Sequence, residues 1–117
     1  MIELLIALSM AGVQLESQFC HLENLQGWYK DDKIVLCREV RDLNLTLKHE
    51  AIHFIQERCE CNLLTDEELT IRTHNTLDDE EVLFVISTYD DVHDELEARV
   101  LSQLNPEEIV DLIENYT

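Results

Sequence analysis

The sequence predicts a single α+β domain over residues 1–117, with about five helices and a small β-sheet. Three observations predict it. A chain of 117 residues builds one hydrophobic core and has no room for a second. Apolar residues reach 45% while Gly (2) and Pro (1) are scarce, which suits helices better than a many-turned β protein or a disordered chain. Helix starts also recur: Thr65, Asp78 and Asn105 each stand three residues before a glutamate, the spacing of a capping box.

Residues 2–16 read as a buried first helix, apolar on most sides. The run Leu4 to Val13 has the look of a signal-peptide core, but Glu3 stands where a basic residue belongs, and the run is too short to span a bilayer. No other segment is a candidate span, so a cytoplasmic protein without membrane contact is expected. Gly27 to Cys37 reads as two short strands around a polar turn, with Ile34 to Cys37 as the β-favouring run. A helix follows from about Asn44 to Cys59, then helices opened by Thr65 and Asp78, and another from near Asp90 to Leu104. Asn105-Pro106-Glu107-Glu108 opens the last, with a capping side chain, proline at the first helical position and acids on the positive helix end.

The net charge of −18 is unevenly placed: residues 1–59 carry nine acids and six bases, residues 60–117 carry 17 acids and two bases. Such a surface repels phosphate backbones and anionic lipid, so nucleic-acid and membrane partners are not expected. Cys20, Cys37, Cys59 and Cys61 are too irregularly spaced for a four-sulfur zinc site, and Cys59 and Cys61 sit too close to pair comfortably. Reduced, buried thiols are the expectation, with one or two disulfides as the alternative. With glycine only at positions 12 and 27 there is no phosphate-binding loop, and neither EF-hand spacing nor a Ser-His-Asp signature is present.

The stretch that carries chemistry is Lys48-His49-Glu50-Ala51-Ile52-His53. On a helix, residues four apart share a face, so the imidazoles of His49 and His53 can both reach one Zn²⁺. Glu50 lies about 100° further round, within reach of a reacting water without occupying a ligand position, as a general base requires. Leu45, Ile52 and Gln56 share the histidine face, while Leu47, Ala51, Phe54 and Ile55 fall roughly opposite, a pattern for a core helix lining a cleft. A catalytic zinc needs a third protein ligand and an open position. His74, His93, Glu95 and Glu97 are the downstream candidates, and the helical wheel favours Glu97, which shares the more apolar face with Leu96, Val100 and Leu104.

The His-Glu-x-x-His helix, together with Asp94-Glu95-Leu96-Glu97-Ala98-Arg99, resembles the gluzincin metallopeptidases, in which a Glu-x-x-Ala-Asp element on a later helix supplies the third ligand. The similarity is to the CAAX-prenyl-protease type, to their minimal relatives the minigluzincins, and to small phage and bacterial proteins with the same two helices. It covers residues 27–102, including a Gly-x-Tyr turn (Gly27, Tyr29) and the Ile34–Leu36 strand ahead of the zinc helix. It implies a minimal zincin-like domain, one Zn²⁺ per chain held by His49, His53 and Glu95, with Glu97 and His93 as alternative third ligands, and Glu50 as catalytic base. Arg99 departs from the family, which often has Asp at that position to orient the histidines. The resemblance further implies a peptide or protein substrate held along the strand Ile34, Val35 and Leu36. Tyr89 or His93 is a candidate to stabilise the oxyanion.

The function expected is zinc-dependent peptide-bond hydrolysis. A non-catalytic zincin-like metal-binding protein is one alternative, and an acidic interaction protein that blocks a basic partner surface is another. Activity is expected to be latent if the tail Glu114-Asn115-Tyr116-Thr117 lies in the cleft and offers its carboxylate to the metal.

Overall fold

The structure, a computed structural model, describes residues 1–20, 25–38 and 42–117. Among these it holds six helices and a three-stranded mixed sheet: α1 (Ile2–Met10), β1 (Gln14–Gln18), β2 (Gly27–Lys30), β3 (Lys33–Cys37), α2 (Leu43–Cys59), α3 (Asp66–Thr76), α4 (Asp79–Thr88), α5 (Val92–Leu101) and α6 (Pro106–Tyr116). The expected α+β class is what the chain adopts.

The first helix is shorter than its apolar run suggests. Gly12 takes a φ of +95°, ends the helix, and lets the chain turn at buried Val13 into β1. Only one face of α1 is covered: Leu4 and Leu8 are fully buried, while Ile2 and Met10 are 71% and 83% exposed. The sheet order is β1-β3-β2, with β1 parallel to β3 (Leu15 beside Ile34) and β2 antiparallel to it (Trp28 beside Val35). Asp31 and Asp32 both adopt positive φ in the β2–β3 turn, a conformation that aspartate tolerates better than most residues. Gly27 is required by close approach: a Cβ there would lie 2.5 Å from the Val35 carbonyl oxygen.

α2 is the central element. Asp42 caps its start, and it packs on β2 and β3, on α5 and on α6, burying Leu47, Ala51, Ile52, Phe54 and Ile55. Burial of five such side chains is worth roughly 1.5–3 kcal/mol for each large one, which holds the helix in place against the sheet. Thr65 and Asn105 form full capping boxes with Glu68 and Glu108, and Asp78 caps α4 through the Glu81 amide. α6 packs on α1 and α2. Residues 114–116 form its last turn, so the tail is not the free strap that the latency reading needs.

Two further expectations are corrected. The cysteines are paired, Cys20 with Cys37 and Cys59 with Cys61. Glu60 adopts a left-handed conformation at the end of α2 and folds the chain back, which brings the Cys59 and Cys61 Cα atoms to 5.2 Å despite their closeness in sequence. No helix among the described residues is long and apolar enough to cross a membrane.

Candidate metal centre

The site is built where α2 crosses α5. His49 and His53 project from one face of α2, and Glu95 comes from the first turn of α5. His49 Nε2 lies 3.2 Å from Glu95 Oε1, His53 Nε2 lies 3.2 Å from Glu95 Oε2, and the two Nε2 atoms are 3.2 Å apart. The cluster could hold a metal ion, and its dimensions test that directly. Donors that bind one ion at ~2.0–2.1 Å in a tetrahedral arrangement sit about 3.3–3.4 Å from one another. The two imidazole nitrogens lie close to that spacing, and each faces a different oxygen of the Glu95 carboxylate at the same distance, a donor set of two imidazoles and one carboxylate.

Burial raises the free energy of a bare Glu95 carboxylate, but hydrogen bonds and charge from His49 and His53 outweigh it and hold the group far below the usual carboxylate range. Burial also pulls His53 down, but its hydrogen bond to Glu95 and the Glu50 charge leave it above its ordinary value. The same anionic setting that draws a proton to this triangle would draw a metal cation.

Gln56, to which sequence reasoning gave no role, orients His53. Its Nε2 donates to the Asp94 carbonyl (3.0 Å) and to Glu97 Oε1 (3.0 Å), both of which only accept. The amide oxygen must therefore face His53 Nδ1, 2.9 Å away, and accept from its N–H. In the neutral ring that places the proton on Nδ1, so once Nε2 gives up the proton it shares with Glu95 its lone pair is free for a metal. The signal in the sequence was Gln56 falling three residues after His53 on the same face. Gln56→Leu should weaken metal binding by roughly 10–100-fold with the fold retained. Competitive titration against a chromophoric chelator, with circular dichroism as the fold control, measures both.

The Glu97 carboxylate is fully buried but engaged elsewhere: it accepts from Gln56, from the Leu64 amide (2.9 Å), and pairs with His93 Nε2 (3.2 Å). His93 is held between Glu97 and Asp66. Both alternative third ligands thus belong to a network beside the triangle, not to the triangle itself. His74 is exposed on α3. Arg99, where the resemblance leads one to expect Asp, holds the carboxylate instead: its Nε donates to Glu95 Oε1 (3.1 Å) and its Nη1 to Glu81 Oε1 (3.0 Å). The guanidinium also lies over the Phe84 and Tyr89 rings, at 5.6 and 5.8 Å.

A cleft of about 340 Å³ opens on this cluster, lined by Leu45, His49, Glu50, Tyr89, Glu95 and Arg99 among others. Glu50 is 8% exposed, and burial pushes its carboxyl above the ordinary range against the pull of the two histidines. Tyr89 stands in the cleft wall; His93 does not. Ile34, Val35 and Leu36 are not placed to hold a substrate: β3 is the middle strand, bonded on both sides, and these residues are buried. β1 and β2 are the edge strands among the described residues, and Gly27 at the start of β2 lines the cleft. None of Glu114 to Thr117 lines it, so a tail-blocked cleft is not what the structure shows.

No protein-family model matches the sequence, and neither a curated protein nor a solved structure is significantly similar to it.

Proposed function

We propose that this protein is a zinc-dependent peptidase of the gluzincin type, with His49, His53 and Glu95 as metal ligands and Glu50 as general base. The single observation that carries the reading is the convergence of two imidazole nitrogens, 3.2 Å apart, on one carboxylate, each 3.2 Å from one of its oxygens, with a buried glutamate beside them in the cleft. The chemistry a bound zinc ion supplies there is Lewis acidity towards a carbonyl oxygen and an acidified water. Glu50, raised by burial, is tuned to take the proton from the attacking water and to hand it to the leaving amine nitrogen. Tyr89 offers a hydroxyl donor in the cleft wall where the oxyanion develops. Gln56 and Arg99 hold one ligand each in position. The unpaired side of β2 gives an extended peptide main-chain partners next to the cleft.

A second reading, a zincin-like protein that binds metal without turnover, is favoured by the cleft's volume, near the lower end of ligand sites. The two differ in one experiment: hydrolysis of casein by wild-type protein and by the Glu50→Gln form, both loaded with zinc. Hydrolysis that is present in the first and lost in the second supports the peptidase; no hydrolysis in either supports the binding protein.

A further inference from the structure

We propose that the groove between α3 and α4 is a docking site for a cationic segment of a partner protein that carries apolar anchor side chains. The two helices both pack on α5. Between them lies a cavity of about 620 Å³, walled by Leu69, Leu77, Val82, Leu83 and Ile86, with Leu96 of α5 also lining it. Leu83 and Ile86 are 66% and 55% exposed, and Phe84 beside them is 50% exposed. Three large apolar side chains displayed on one short helix are costly in water unless a partner covers them.

A second observation points to a ligand. Thr73 lines the same cavity, is 9% exposed, and its Oγ1 has no hydrogen-bond partner. Buried hydroxyls are otherwise almost always satisfied. The oxygen is closed to a water-sized probe in the open groove, so a polar group on an inserted segment would satisfy it only by turning the Thr73 side chain outward.

Charge decides the kind of partner. The groove lies wholly within residues 60–117, which carry 17 acids and two bases, and Asp79 is part of its lining. Arg99, one of the two bases, is engaged by Glu81 and Glu95. A second copy of the chain would bring a further −18 against this face, so self-association is opposed. Apolar anchors flanked by Lys or Arg fit both features at once: the anchors fill the groove and the bases face the acids around it. The groove shares no lining residue with the cleft at His49, so this inference stands independently of the metal reading.

The test uses a fluorescein-labelled amphipathic peptide of leucine and lysine, about 14 residues long, with Leu at helical spacing. Anisotropy should show saturable binding that weakens as salt is raised. A peptide with Leu replaced by Ser and all Lys kept should bind at least about tenfold more weakly, as should the Leu83→Asp/Ile86→Asp protein. That double variant separates the explanations, because it adds acids: pure charge attraction predicts tighter binding, groove insertion predicts weaker. Both positions are exposed, so the fold should be retained, and Thr73→Val offers a second variant that keeps the volume and loses only the hydroxyl. It should weaken the peptide severalfold and raise the melting temperature. Equal or tighter binding by the double variant overturns the proposal, as does no binding by wild type. Self-association by sedimentation that the double variant abolishes overturns it in favour of a second copy.

Discussion

Glu50→Gln should leave the zinc content of the protein unchanged and lower peptide hydrolysis by roughly 10²–10⁴-fold, the usual contribution of a positioned general base. The reasoning rests on placement. Glu50 follows His49 on α2 but is not one of the three groups within ligand distance of one another. It lines the same cleft, and burial keeps its carboxyl above the ordinary range, closer to the value at which it both accepts and returns a proton. Glutamine preserves its size and polarity while removing the proton acceptor. The loss should therefore fall on kcat, with KM little changed. Metal analysis of both proteins, followed by casein hydrolysis, gives the result; equal activity in the two removes Glu50 from the mechanism.

The second large effect separates Glu95 from Glu97. Glu95→Ala should abolish stoichiometric zinc binding, a loss well beyond the roughly 10–100-fold of an outer partner, because it removes one vertex of the triangle. Glu97→Ala should act differently. It strands Gln56, the Leu64 amide and His93 around a fully buried position, which should cost about 3–5 kcal/mol of stability while zinc still binds. Chemical denaturation alongside metal titration distinguishes the two patterns. If Glu97→Ala loses the metal and Glu95→Ala keeps it, the ligand assignment is reversed.

These two glutamates also show how far the sequence could be read. The His49–His53 pair was legible because its geometry is local: four residues on one helix place both rings on one face whatever surrounds them. The helical wheel was right that Glu97 is buried. It could not distinguish an acid set beside His49 and His53 from an acid that satisfies an amide 33 residues away in sequence, at Leu64. Glu95 was one of four downstream candidates, and only the resemblance set it ahead of Glu97. The helix starts at Thr65, Asp78 and Asn105 were legible for the same local reason as the histidines. β1 was not, because Gln14 to Gln18 is a mostly polar run that becomes a strand by pairing with β3, a tertiary contact. The Cys59–Cys61 bond depended on the left-handed turn at Glu60, a non-glycine position where no propensity foretells it. The displayed face of α4 was likewise hidden: Val82 to Ile86 is an unbroken apolar run, and only the packing shows Val85 inward and Leu83, Phe84 and Ile86 outward.

The central claim is that His49, His53 and Glu95 together hold one zinc ion, and zinc-edge X-ray absorption on protein purified without chelator tests it most directly. The account predicts about one zinc per chain in a four-coordinate shell of nitrogen and oxygen donors at ~2.0–2.1 Å, two of them imidazoles. A content under about half an equivalent that added zinc cannot restore, or a shell containing sulfur, would contradict it.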